Sequence, residues 1–292
     1  MMGRFRLRGY ATLASYDIRG VFFDELMDDA LEHKWLKALA TVPLGTAPRF
    51  DLACVGTSIA GVGAFTFDGL SCLVRADIVY CYPLTPIHYE LMKSINKNVV
   101  NLHETLYVRG GTFDPVYEAI VDEVMRVVRS GKKVAYAVQG SPAFHCWTAV
   151  RLHRTAKAEG FSSILISGVS SFELLSAELS AHYDITSVQI YSVIPMAEGK
   201  FEINTRVPCL LFDLGRYALP AVREVGFGQP KLFMLAERLR ATYPIEHEIL
   251  LMSVTPTGSC SSLKTNPAEI ENALTSFPQA VTIFIPAIRR PS

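Results

Sequence analysis

The sequence has no surplus of charge, no paired cysteine motif and no long apolar run, and each lack removes a class of protein. Lysine and arginine together number 28, and so do aspartate and glutamate, in a chain of 292 residues. A protein whose main partner is a nucleic acid normally needs a basic excess to neutralise phosphates, so no nucleic-acid partner is expected. Six cysteines (Cys54, Cys72, Cys81, Cys146, Cys209 and Cys260) are scattered without a C-x-x-C pair. That pattern reads as reduced, buried thiols in a cytosolic protein. No His or Cys sits at ligand spacing near another, so no metal site is expected. No apolar run approaches the roughly 18 to 20 residues of a membrane-spanning helix, and no membrane partner is expected. The N-terminal "MMGRFRLRGYATLAS" is Arg-rich and free of acids up to Asp17, as a targeting peptide would be. The acidic stretch that follows favours a soluble cytoplasmic protein instead.

What is present is apolar. Half of the residues are hydrophobic and 19% are charged, enough for a generous core in one large domain or two ordinary ones. Residues 1–49 read as a separate extension. There "VFFDELMDDALEHKWLKALA" sets Phe22, Leu26, Ala30, Leu31, Trp35 and Leu39 on one helical stripe, and "TVPLGTAPRF" follows as a linker.

From residue 50 the pattern alternates. "DLACVG" is a short strand, "TSIAGVGAF" a Gly-rich loop, and "TFDGLSCLVRAD" a helix capped by Thr66, before the strand "DIVYCY". "DPVYEAIVDEVMRVVRSG" is a helix capped by Asp114 and ended by Gly131, with Val116, Ile120, Val124, Val127 and Val128 on its buried stripe. The strand "KKVAYAVQG", a helix closed by Gly160, the strand "SSILISG" and the helix "SSFELLSAELS" complete an α/β lobe over 50–185 with a mostly parallel sheet. Beyond it, "SVQIYSV", "CLLFDLG", "EILLMSVT" and "AVTIFIP" are strand-like, and "KLFMLAERLRATY" and "PAEIENALTSF" helical. They predict a second, mixed α/β lobe over 186–292.

Three strands of the first lobe end in glycine-bearing loops: "GTSIAGVG", "QGSPAF" and "SGVSSF". Alone, each has a bland alternative. The first lacks the Lys of a triphosphate-binding loop and the spacing of a dinucleotide fingerprint. The second is a Pro-fixed turn, and the third an N-capped helix start. Together, on one edge of a sheet, they form a crevice of the kind that holds ligands.

In order and spacing these segments resemble the landmarks of the tetrapyrrole-methylase superfamily of S-adenosylmethionine-dependent methyltransferases. "CLLFDLG", "EILLMSVTPTG" and "AVTIFIPAI" continue the likeness to about residue 288. The resemblance implies a two-lobed fold with the cofactor in the crevice, held largely by backbone groups, and S-adenosylhomocysteine as product. It assigns cofactor contacts to Gly56, Thr57, Gly140, Ser141, Pro142, Ala143, Phe144, Ser170, Ser171, Leu214, Thr255 and Pro256. "INKNVVNLHETLYVRGGTFDPVYEAIVDEVMRVVRSGKKV" is most similar to borosin-type peptide backbone α-N-methyltransferases. In those enzymes a Tyr- and Arg-bearing loop lines the methyl-transfer site, which carries over to Tyr107, Arg109 and Tyr117. Gly140-Ser141-Pro142-Ala143 and Ser167-Gly168-Val169-Ser170 depart from the family's Gly-His-Pro-Gly and Pro-Gly-Val-Ser.

The chemistry agrees with those residue types. A backbone amide is a poor nucleophile, so its carbonyl must be polarised and its proton removed. An arginine stabilises the developing oxyanion or a tyrosinate, and a tyrosine acts as base or hydrogen-bond donor. The competing view is a surface arginine beside two packed tyrosines. His145 is a further candidate base, against its reading as a surface group at a helix start, and Trp147 reads as packing. The expectation is a homodimeric methyltransferase acting on a ribosomally made peptide supplied in trans, since the sequence stops at "IRRPS" without a substrate tail. Methylation of a small molecule or tetrapyrrole, and a lapsed binding or scaffold protein, are the alternatives.

Overall fold

The computed structural model describes residues 49–60, 64–81, 86–106, 113–218, 229–255, 258–277 and 282–288. The chain divides into two compact units, Met1–Ala47 and Pro48–Ser292. The helix expected near the N-terminus lies outside the described residues, and all that follows concerns the second unit.

The first lobe runs β1 (Leu52–Gly56), α1 (Phe67–Arg75), β2 (Ile78–Cys81), α2 (Pro86–Ile95), β3 (Val99–Asn101), α3 (Leu102–Thr105), α4 (Phe113–Arg129), β4 (Val134–Val138), α5 (Trp147–Ala158) and β5 (Ser163–Ile166). The five strands are parallel in the order β3-β2-β4-β1-β5. Because side chains alternate across a strand, each strand feeds two cores. Leu52, Cys54, Tyr80, Val134 and Tyr136 face α4 and α5, where Val116, Ile120, Val124, Val127 and Val128 form the expected buried stripe. Ala53, Val55, Val79, Cys81 and Ala135 face Cys72 and Leu73 of α1 and Met92 of α2.

Local signals place the ends of most helices. The Thr66 hydroxyl accepts from the Gly69 amide at 3.1 Å, as a cap should. Gly131 and Gly160, at φ +84° and +85°, end α4 and α5 in the left-handed conformation. One expectation is corrected. Helix α4 starts at Phe113, so Asp114 stands inside its first turn and is not the cap. An acidic side chain suits either position, because both meet the unsatisfied amides at the positive end of the helix.

Helix α6 (Ser171–Ser180) leads into the second lobe, which runs β6 (Gln189–Ser192), α7 (Val193–Ala197), β7 (Cys209–Phe212), α8 (Leu214–Ala218), α9 (Gln229–Thr242), β8 (Ile249–Val254), β9 (Cys260–Thr265), α10 (Ile270–Ser276) and β10 (Thr282–Ile285). Its sheet is mixed, in the order β6-β7-β10-β8-β9, with β6 parallel to β7 and the remaining pairs antiparallel. Cys209, Leu211, Ile249, Leu251, Ile283 and Ile285 face α7 to α10. Leu210, Phe212, Leu250, Met252 and Phe284 face the other way and are covered by Leu175 and Leu179 of α6.

Candidate functional site

In the first sheet β4, β1 and β5 are neighbours, so their three glycine-bearing loops leave the same edge side by side. They touch through backbone. A Cβ added to Gly56 would lie 2.4 Å from the Gly140 carbonyl oxygen and 2.5 Å from the Gly168 nitrogen. One on Gly168 would lie 2.4 Å from the same oxygen. No side chain fits at Gly56 or Gly168, which gives these two glycines a physical reason. Hydrogen bonds fasten the junction. The Thr57 amide and hydroxyl both donate to the Val138 carbonyl, at 2.8 and 3.0 Å. The amides of Ser58 and Ile59 donate to the carbonyls of Gly140 and Val169, at 3.3 and 3.1 Å.

The loop after β4 then turns outward. Gly140 is left-handed at φ +70°, and the Phe144 amide closes a turn on the Ser141 carbonyl at 3.2 Å. Ser141 is 8% exposed, yet among the described residues its amide donates to no group. Buried amides are almost always paired, so this one stands out as a donor still open to a partner. Pro142 is buried beside it and Ala143 is exposed. Phe144 leaves the first lobe and packs on the second, its ring edge-on to Phe212 at 5.0 Å and 6.0 Å from Phe172.

The remaining candidates fall into two groups. Leu214 is fully buried at the start of α8 and belongs to the second lobe's core. Thr255 forms a turn with Ser259, whose amide donates to its hydroxyl at 3.1 Å, and a Cβ on Gly258 would meet Ala60 at 3.4 Å. The loop after β8 therefore reaches the loop after β1. On the far side, the Ser170 hydroxyl and amide are both taken by Glu173 in a capping box, with Ser171 the first helical residue. Tyr117 is half-buried on α4 and stacks on Trp147 at 6.0 Å and 25°, with the Phe113 ring tilted at 52° and also 6.0 Å away. Trp147 is the first residue of α5, so this aromatic row stands at the exit of the β4 loop. Tyr107, Arg109 and Pro256 lie outside the described residues.

Sequence reasoning missed one pair. His145 is the exposed residue next to the cap of α5, as its reading as a surface group at a helix start expects. It stands ahead of α5 at φ +48°, with its Nδ1 3.0 Å from Oδ2 of Asp213, itself at φ +65° directly after β7. Its ring joins a three-membered aromatic cluster with Phe144, 4.6 Å away, and Phe212, 5.1 Å away. Ser58, His145 and Asp213 are the non-glycine residues with left-handed backbone among those described: Ser58 and Asp213 follow closely on β1 and β7, and His145 lies in the loop between β4 and α5. His145 was visible in the sequence, but nothing there pairs it with a residue 68 positions away.

Comparison with known proteins gives concordant likenesses. The family model for tetrapyrrole (corrin/porphyrin) methylases matches residues 51–205. Among curated proteins, the chain is 27% identical over 200 residues to the methyltransferase/ribosomally synthesized cyclic peptide lentinulin A precursor of Lentinula edodes. That match covers 68% of this chain and 48% of the relative. It is 26% identical, with the same coverage, to the omphalotin A precursor methyltransferase of Omphalotus olearius. The chain thus spans about half the length of the curated relatives it matches. Among solved structures it resembles the uroporphyrin-III-C-methyltransferase of Thermus thermophilus, with TM-score 0.56 and 17% identity. That likeness covers 81% of this chain and 94% of the other. Cobalt precorrin-4 methyltransferase resembles it with TM-score 0.53 and 16% identity, over 83% and 98%. These structural likenesses show the two-lobed fold.

Proposed function

The chain belongs to the tetrapyrrole (corrin/porphyrin) methylase family of methyltransferases, and from that premise we propose that it N-methylates backbone amides of a ribosomally made peptide. S-adenosylmethionine is the methyl donor. The observation that carries the reading is the glycine junction, with the unpaired Ser141 amide on its wall. The relatives whose names join a methyltransferase to a cyclic-peptide precursor support the peptide acceptor.

The residues present fit that donor. S-adenosylmethionine carries no phosphate, and no lysine or arginine occurs in residues 57–60, 139–146 or 167–170. These segments offer neutral backbone groups and hydroxyls, which would suit a nucleotide phosphate poorly. Gly140, the Ser141 amide, Phe144 and Thr255 would hold it, with Leu214 behind them in the core of the second lobe. When bound, the sulfonium supplies an activated methyl group, so the protein's own task is alignment of the acceptor. Tyr117, held by its stack on Trp147, donates a hydrogen bond to the acceptor's carbonyl oxygen. Arg109 and Tyr107 complete that charge stabilisation.

Calorimetric titration with S-adenosylhomocysteine tests the cofactor, and absence of binding ends the reading. Mass spectrometry after incubation with S-adenosylmethionine and a candidate peptide tests the acceptor, with 14 Da increments localised to backbone nitrogens as the expected result. Binding without peptide methylation overturns the peptide assignment alone. A Tyr117→Phe variant should keep product binding and lose turnover; undiminished turnover removes Tyr117 from the site.

A further inference from the structure

We infer that His145 is the proton acceptor of the methyl-transfer step and that Asp213 is its positioning residue. This rests on the amide-methylation reading above. The first observation is the backbone. His145 and Asp213 both hold a left-handed backbone, at φ +48° and +65°, and in that conformation their side chains meet. A conformation of this kind persists where surrounding structure over-determines it, typically at functional sites. The second observation is the ring's surroundings. Nδ1 faces the Asp213 carboxylate, the rings of Phe144 and Phe212 stand against the imidazole, and among the described residues Nε2 has no hydrogen-bond partner. The side chain is a quarter exposed, which lets a proton leave to solvent.

A carboxylate on Nδ1 selects the tautomer with the proton there and leaves the Nε2 lone pair as the base. Asp213 comes from the β7–α8 junction, and Glu173 of α6, the nearby acid behind Phe172, is committed to the Ser170 cap. In the step, the N–CH3 bond forms as the S–CH3 bond breaks. The amide proton passes to Nε2, and the donor leaves as a neutral thioether. The resulting imidazolium lies against Asp213 and returns its proton to water. A neutral imidazole accepts a proton more readily than a neutral phenol does. Tyr117 is thereby freed to act as hydrogen-bond donor.

The test combines three measurements on the full chain. Nitrogen-15 shifts of labelled histidine should show the Nδ1–H tautomer for His145, and Asp213→Asn should abolish that preference. Diethylpyrocarbonate should modify His145, and saturating S-adenosylhomocysteine or peptide should protect it. His145→Gln should bind S-adenosylhomocysteine and melt as the parent does, yet lose about 10²-fold or more in kcat together with the acid limb of the pH–rate profile. A His145→Gln enzyme with full turnover and an unchanged limb overturns the inference while leaving peptide methylation standing. If the parent methylates no peptide, the reading above fails by itself. The tautomer and protection arms then decide for His145, and an unprotected ring or the other tautomer refutes it.

Discussion

Replacing Gly168 with alanine tests whether the three loops are held by backbone contact. The added methyl would arrive 2.4 Å from the Gly140 carbonyl oxygen, a full ångström short of ordinary contact at 3.4 Å, and 2.8 Å from the Gly56 carbonyl carbon. Both neighbours are backbone, and they are pinned by the Thr57 and Ser58 hydrogen bonds. Overpacking costs about 1–3 kcal/mol where side chains can yield. Here a main-chain hydrogen bond worth about 1 kcal/mol must also loosen, so the expected loss is about 3–4 kcal/mol. Gly160→Ala is the control, because that residue is left-handed at φ +85° with nothing within 4 Å of its added methyl. It should lose only the conformational penalty, about 1–2 kcal/mol. Urea denaturation followed by circular dichroism compares the two. If Gly168→Ala loses no more than Gly160→Ala, the junction is not crowded and the account of these loops fails.

Thr148→Val strands the hydroxyl of the buried Tyr136, its partner at 2.9 Å, and should cost about 1–3 kcal/mol in the same assay. The double variant with Tyr136→Phe should recover most of that, and an additive loss would contradict the pairing. Burial, and then the Glu248 carboxylate it donates to, push the Tyr183 phenol up to about 12. Its neutral form is thus favoured in the fold, and that stability is complete below the unfolded value of about 10. It drains as pH rises through about 12. Tyr183→Phe should flatten the fall in stability between those values, and an equal slope would remove the assignment. Burial pushes up the thiols of Cys54, Cys72, Cys81 and Cys209. Native protein should therefore react slowly with Ellman's reagent, whereas denatured protein yields all six thiols at once. A burst of four thiols from the native protein would contradict it.

The strands buried on both faces were legible because they are short continuous apolar runs bounded by turn residues, as in "VAYAV" and "CLLF". Strand β9, "CSSLKT", escaped because an edge strand facing water keeps polar residues that look like loop. Strand β3 escaped because three residues carry no periodicity. The site was legible as three loops, since each has its glycine. What joins them was not. Only the order β4-β1-β5 brings Gly56, Gly140 and Gly168 together, and sheet order depends on crossovers that local sequence does not encode. The pairing of His145 with Asp213 was hidden for the same reason: the two stand 68 positions apart, and only the packing of the lobes brings them together.

The cover that α6 provides has a consequence for how the molecule divides. Leu175 and Leu179 follow the first lobe in sequence but are spent on the sheet of the second, and Phe144 reaches across to the same surface. Cutting the chain between the lobes, on either side of α6, would bare an apolar face on one fragment or the other. The lobes are therefore not interchangeable modules: a chimera that swaps one of them must carry α6 and the Phe144 loop as a matched pair. For the same reason a wide hinge between the lobes would have to extract Phe144 from its socket. Access to the crevice then falls to its loops, which makes loop motion the step to time when turnover is dissected.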